Sequence, residues 1–368
     1  MNDVIENKSI EELIAEVISL IWTGIALTPV NDFTEQKKFF DEYNAGRKYN
    51  PVYEYKKKEK VIAKAESMLY IIKSKNKDKI HVDLLNKLSL LLEFSQKINT
   101  SEKLVFPYGV PDKEMVSLAK IMIPKEKASK QDRTILAKEA RRIFYEKLSD
   151  YGIFDWKIII KKNLTAKADV NSSKKMIYLK QRKYSYNEIN NLLAHEVDVH
   201  VVRAFNGSKN KNSIYSTGTA NYLKTEEGLA IMMEQLSGNY NAQRFKFFAA
   251  RMIAADMAVT KSFYDIFDTL VRKYNLSKHN AYIITKRVKR GLTDTSKPGG
   301  FIKDHVYFEG FYIIRKFMQS GGDIRPLFVG KISLDEIKNV KKDELTNVII
   351  PKAVEAHYQY RSKQMVLY

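Results

Sequence analysis

The chain has 368 residues, 44% of them hydrophobic, enough to bury a substantial core and to form more than one domain. It contains no cysteine, which excludes disulfides and thiolate metal sites and suits a reducing compartment. Lys and Arg number 63 against 43 Asp and Glu, a net charge of +20. Such a charge attracts acidic tails, nucleic acid or anionic membranes, or serves only as a solubilising surface.

Met1–Ser9 carries acidic residues rather than a basic leader, and Val17–Asn31 is too short, and too interrupted by Ser19, Gly24 and Pro29, to span a bilayer. The expectation is a cytoplasmic protein without membrane insertion. Ser9 and Glu12 form a capping box for a first helix, whose apolar face is Ile10, Leu13, Ile14, Val17, Ile18 and Ile21. Thr28–Asn31 breaks it, and Asn50-Pro51 marks a turn. Helical patterns resume at Lys58–Ser74 and Val82–Ile98, around a charged loop at Lys73–Lys79, and a short helix is expected at Lys113–Ile123. The lysine-rich Pro124–Gln131 stretch is the best boundary candidate, dividing an N-terminal helical region, 1–128, from a second domain, 129–368.

A long helix is expected from Asp132 to Ser149. Two β-rich runs follow, Trp156–Lys162 and Met176–Lys180, which read as neighbouring strands of a hairpin. Ser185 and Glu188 form a second capping box, and the helix they start runs into His195-Glu196-Val197-Asp198-Val199-His200. Thr225 would N-cap the next helix, placing Glu226 and Glu227 in its first turn. Long helical patterns cover Gln243–Tyr274, Ala281–Arg290 and Phe301–Gln319, with a Pro/Gly turn region at Asp294–Gly300. The class is α+β and helix-dominated, with a small sheet beside the helix that carries the histidines.

Two imidazoles, a carboxylate beside the first and an acidic cluster downstream are the parts of a zinc hydrolase site. Three protein ligands hold the ion, a fourth position stays open for water, and a free carboxylate takes that water's proton. The usual zinc helix places its histidines four apart on one face. Here they are five apart, so on an ideal α-helix they diverge by roughly 140°. The helix must widen into a π-turn or end near Val199. Asp198, three residues from His195 and on its face, is a rival ligand. It could instead support a ligating imidazole, or simply face solvent, and solvent is the simpler reading.

His-Glu-Val-Asp-Val-His followed by Thr-Glu-Glu-Gly-Leu-Ala resembles the tyrosine carboxypeptidase family of zinc metallopeptidases, the MATCAP-like tubulin detyrosinases and the bacterial QEGLA-motif proteins. Further matching blocks are Arg290–Phe301 and Lys303-Asp304-x-x-Tyr307-x-x-Gly310, with weaker echoes in Thr28–Asn31 and Asn50–Tyr55. The resemblance covers residues 25 to 330. It implies a gluzincin-like zinc peptidase domain with one Zn²⁺ on His195, His200 and Glu227, and Glu196 as catalytic base. Asp198, where many relatives carry Gly, and Thr225-Glu226, in place of the bacterial Gln, depart from the pattern.

In such an enzyme a side chain must also bear negative charge developing on the attacked carbonyl, and Tyr307 and His305 are candidates. Lys303 and Tyr307 are four apart and would share a helical face. A carboxypeptidase further needs a cation for the terminal carboxylate. Arg203, Lys224, Arg287, Arg290, Lys297 and Lys303 all lie near the motifs, and Lys303 and Arg290 are preferred. The expected activity is removal of a C-terminal Tyr or Phe from a protein or peptide tail, acidic tails being favoured by the basic surface. The competing readings are an endopeptidase or aminopeptidase sharing the same metal site, and a non-enzymatic basic binding protein. No specific nucleic-acid motif is present. Tyr368 ends the chain and is itself a conceivable substrate.

Overall fold

The computed structural model describes residues 8–365 apart from 26, 57, 77–78, 101, 124–131, 165, 213 and 239–241. In chain order the elements are α1 (Ile10–Gly24), α2 (Asp32–Asn44), α3 (Glu59–Lys75), α4 (Lys79–Lys97), α5 (Lys113–Met122), β1 (Ile135–Leu136), α6 (Ala137–Asp150), β2 (Lys157–Lys161), β3 (Ala168–Asn171), β4 (Met176–Lys180), β5 (Lys183–Tyr184) and α7 (Tyr186–Leu192). A π-helix, Leu193–Val201, follows, then α8 (Val202–Lys209), α9 (Ile214–Thr217), α10 (Tyr222–Leu236), α11 (Ala242–Ala258), α12 (Phe263–Arg272), α13 (Lys278–Lys289), α14 (His305–Gln319) and α15 (Lys352–Met365). Helices dominate, as expected. None is long and apolar enough to cross a membrane among the described residues.

The chain forms two compact units, one made of Met1–Lys127 with Ala242–Phe308, the other of Ala128–Asn241 with Glu309–Tyr368. The first switch between units falls within the lysine-rich stretch, whose residues 124–131 lie outside the described ones. Contiguity is where the expectation differs, because 242–308 joins the N-terminal helices.

In the first unit both halves of the α1 capping box form, and Leu13, Ile14, Val17 and Ile21 are buried as the periodicity predicts. An aromatic core gathers Phe39, Tyr53, Phe263, Phe267 and Tyr282. The Asn50–Tyr55 and Arg290–Phe301 blocks are physically paired. Tyr53 N donates to Thr293 O at 2.8 Å, Val52 bridges Asp294, and Thr295 Oγ1 donates to Pro51 O at 2.6 Å. Several helix boundaries differ from the expectation, among them the starts of α4 at Lys79 rather than Val82 and of α13 at Lys278 rather than Ala281. α3 runs on to Lys75, through the first half of the expected loop. The single pattern across Gln243–Tyr274 is two helices, because Ser262 caps α12 by accepting from Asp265 N. α14 starts only at His305, so Lys303 precedes it and does not share a helical face with Tyr307.

In the second unit β2, β4 and β3 form a sheet in that order, with β4 central. The two β-rich runs are neighbours, as expected, but not a hairpin. β2 and β4 run parallel, Ile158 opposite Ile177, and the chain between them supplies β3, which pairs antiparallel with β4 on its other side. Alternation buries Ile158, Ile177 and Leu179 on one face. The second capping box also forms, Ser185 Oγ accepting from Glu188 N and Ser185 N donating to Glu188. It launches α7 directly into the π-helix, and the edge strand β3 packs against that helix.

Candidate metal centre

The five-residue spacing is resolved by backbone geometry. Leu193–Val201 is a π-helix, and Val202 N–H reaches Val197 O, five residues back. In such a helix residues five apart lie one turn apart, so His195 and His200 face the same way. Their rings meet edge to face with centroids 5.0 Å apart. This is the widened-helix solution rather than a helix end.

The third donor comes from α10. Nε2 of His195 lies 3.6 Å from Glu227 Oε2, and Nε2 of His200 lies 3.8 Å from the same oxygen. Donors on a tetrahedral Zn²⁺ with bonds of ~2.1 Å would stand about 3.4 Å apart. Among the described residues these three form the one group of His and acidic side chains whose ligand atoms could share an ion, all within 4.8 Å of one another.

The opposite edge of each ring is also spoken for. His195 Nδ1 pairs with Glu234 Oε1 at 2.8 Å, and His200 Nδ1 pairs with Glu226 Oε1 at 2.8 Å. A carboxylate on Nδ1 holds the proton there and leaves the Nε2 lone pair for a cation. Without a cation, burial works against a charged His195, but Glu227 and Glu234 outweigh it and raise the ring to about 10. Three acids around two rings form an electron-rich cage that a divalent ion would neutralise. The donor set therefore fits zinc.

Glu226 is in turn locked by Arg203. That guanidinium donates to Glu226, to Leu327 O at 2.8 Å and to Ile332 O at 2.7 Å, and is fully buried. Although burial opposes its charge, Arg203 and His200 hold Glu226 down to about 2. Arg203, a candidate reader of a substrate carboxylate, is thus committed to the interior. Lys224 likewise pairs with Glu309 at 2.6 Å.

Glu196 follows His195 in the π-helix and is buried. Burial raises its carboxyl above the ordinary range, opposed by His195 and His200. Its side chain is not counted among the three converging donors. Asp198 is neither a ligand nor solvent-facing. It is buried, accepts from Tyr151 Oη at 2.6 Å and Lys147 Nζ at 2.8 Å, and so ties the π-helix to α6. It does not support an imidazole either, since Glu226 and Glu234 do that.

Thr225 does not cap α10, which begins one turn earlier at Tyr222; its Oγ1 accepts from Leu334 N at 2.8 Å inside the fold. Glu226 and Glu227 therefore sit in the second turn. Gly228 has a separate reason to be glycine. A Cβ there would stand 2.0 Å from the Gly310 carbonyl carbon, so α10 and α14 cross backbone to backbone at this point.

Residues 37–365 match the family described as microtubule-associated tyrosine carboxypeptidase. The chain belongs to that family. Among curated members it is similar to microtubule-associated tyrosine carboxypeptidase 1 of Homo sapiens, 29% identical over 178 residues, which is 47% of this chain and 37% of the relative. The protein of the same name from Rattus norvegicus is 31% identical over 157 residues, 41% of this chain and 32% of the relative. The matched stretch thus spans only about a third of these relatives' own length.

Within this chain's His-Glu-x-x-x-His and Glu-Gly-Leu-Ala elements, the structure brings together His195, His200 and Glu227. Tyr307, Lys303 and Arg290 belong to the other unit and are defined by their own neighbours. Tyr307 stacks on Phe248 with centroids 5.7 Å apart, Lys303 Nζ lies 5.8 Å from the Trp22 ring centre, and Arg290 Nε donates to Arg287 O at 2.9 Å. Glu226 and Glu234 were not singled out from the sequence as partners of the rings. One signal existed for Glu234. It lies seven residues after Glu227, two helical turns along the same face, inside the otherwise apolar run Leu229–Met233.

Proposed function

We propose that this protein is a zinc-dependent carboxypeptidase that hydrolyses the peptide bond before a C-terminal Tyr or Phe. The observation that carries the reading is the convergence of two Nε2 atoms and a Glu227 oxygen, with each Nδ1 held by its own carboxylate. His195, His200 and Glu227 would hold the ion. Zinc bound there would supply an acidified water and polarise the attacked carbonyl. Glu196 would serve as general base and general acid, accepting a proton from the attacking water and returning it to the departing amine; the burial that raises its carboxyl suits a group that must both accept and donate. The edge strand β3 can receive an extended substrate main chain by strand addition. Tyr307, three residues before Gly310 on α14, donates its hydroxyl to the developing oxyanion, and Lys303 and Arg290 recognise the terminal carboxylate.

The substrate is a protein or peptide tail, and the net charge of +20 favours an acidic one. A cysteine-free chain with no membrane-crossing helix among its described residues is compatible with the cytoplasm, where we place it. Mass spectrometry of peptides ending in Tyr, incubated with wild type and with Glu196→Ala, tests the reading. Release of Tyr by the wild type alone is expected. Cleavage by both proteins, or none by zinc-loaded wild type, would refute it. Cleavage of C-terminally amidated peptides would move the assignment to an endopeptidase or aminopeptidase with the same metal site.

A further inference from the structure

The first unit holds a charged cluster that is separate from the three converging donors of the metal centre. Asp304, fully buried just before α14, is gripped by Arg287, whose Nε and Nη2 donate to Oδ2 at 2.5 Å and Oδ1 at 2.9 Å. That two-pronged contact already satisfies the aspartate. Two more guanidinium groups crowd the same carboxylate. Arg251 Nε stands 3.5 Å from Asp304 Oδ2, beyond a good hydrogen bond, and has no hydrogen-bond partner among the described residues. Arg290 leans on Phe301, 5.7 Å from its ring centre. Burial and the charge of Arg287 push both Arg251 and Arg290 down to about 10. Positive charge is in excess, and buried charge without a partner is costly. The side chains of Arg251 and Arg287 remain 14% and 16% exposed, although Arg251 Nε itself is covered, so an anion would approach from the outer end of the guanidinium groups.

The cluster also has an aromatic wall. Arg251 lies 5.2 Å from the Tyr307 ring centre, 4.7 Å from Phe247 and 5.8 Å from Phe248. Phe248 and Tyr307 stack nearly parallel, 11° apart. Arg244, seven residues before Arg251 on α11, covers Phe248 from 5.3 Å. Rings hold the guanidinium plane by cation–π contact and leave its N–H edge for an anion.

We propose that Arg251, backed by Arg287 and walled by Phe248 and Tyr307, is a binding site for a carboxylate borne on an aromatic residue, the chemistry of a C-terminal Tyr or Phe. The choice of ligand rests on the carboxypeptidase reading; the excess of cations over anions does not. It adds Arg251, a residue no motif pointed to, to Lys303 and Arg290 as a cation for the terminal carboxylate.

Calorimetric titration of the full chain with N-acetyltyrosine and N-acetyltyrosinamide tests this without any cleavage. The acid should bind about 10- to 100-fold more tightly than the amide, the range of one charge-assisted hydrogen bond. Arg251→Gln should abolish that preference, Arg251→Lys should keep part of it, and Glu227→Gln should leave it intact. Equal affinity for acid and amide in wild type, which requires no variant to fold, overturns the proposal. So does an acid preference that survives Arg251→Gln, or one lost in Glu227→Gln alone, which would assign the carboxylate to the metal centre. A failure of the peptidase reading would appear instead as absent cleavage with this binding unchanged.

Discussion

His195 and Glu196 are neighbours in the chain, and their surroundings separate them. His195 is fixed by Glu234 behind and Glu227 in front, whereas Glu196 is left as a buried carboxylate beside the rings. Glu196→Ala should therefore retain the metal and lose about 10²- to 10⁴-fold in turnover, read by peptide cleavage alongside metal analysis. His200→Ala and Glu227→Ala should lose most of the bound zinc. Glu234→Ala and Glu226→Ala should weaken metal binding by about 10- to 100-fold through the imidazoles they orient, measurable by competition with a chelator. Asp198→Ala should behave differently. It leaves zinc stoichiometry unchanged but lowers the melting temperature, because Lys147 and Tyr151 lose a buried acceptor.

At the scale of elements, the site depends on a π-helix and on one close helix crossing. A wider helix brings residues five apart onto one face, which is the physical content of His-Glu-x-x-x-His. α10 then has to lie near enough for Glu227 to reach both rings, and Gly228 against Gly310 lets it do so. Gly228→Ala should force the two backbones apart and destabilise the protein by about 1–3 kcal/mol, measured by denaturant titration, with weaker zinc binding as a consequence. Gly310→Ala should do the same, since its Cβ would meet Lys224 O at 1.9 Å.

At the scale of the whole molecule, buried charge sets an acid limit on stability. Burial opposes the charge of Asp304, but Arg287 and Arg251 hold its carboxyl well below the ordinary range. A carboxyl lowered by folding contributes stability that is fully present above its unfolded value of about 3.9 and is lost as pH falls below it. Stability measured at falling pH should therefore drop below about pH 4, and Asp304→Asn should flatten that drop. The same substitution at neutral pH should cost about 3–5 kcal/mol, because it leaves buried guanidinium groups uncompensated. If acidic tails are the substrates, kcat/KM for them should fall as salt rises, while kcat for a neutral peptide should not, since screening acts on encounter.

Local rules carried far along this chain. Both capping boxes, the apolar stripe of α1 and the need for the helix to widen or end between His195 and His200 follow from spacing alone, because each depends on residues within a turn or two of one another. Resemblance supplied Glu227, which no spacing to His195 could have reached. What tertiary structure alone decided was set by contacts between distant segments. It decided that β2 and β4 run parallel, that 242–308 packs with the N-terminal helices, and that Asp198 turns inward to Lys147. It also decided which carboxylates stand behind the imidazoles. A side chain's own neighbours fix its helix, but the direction it faces, and so the charge it meets, is set by packing across the fold.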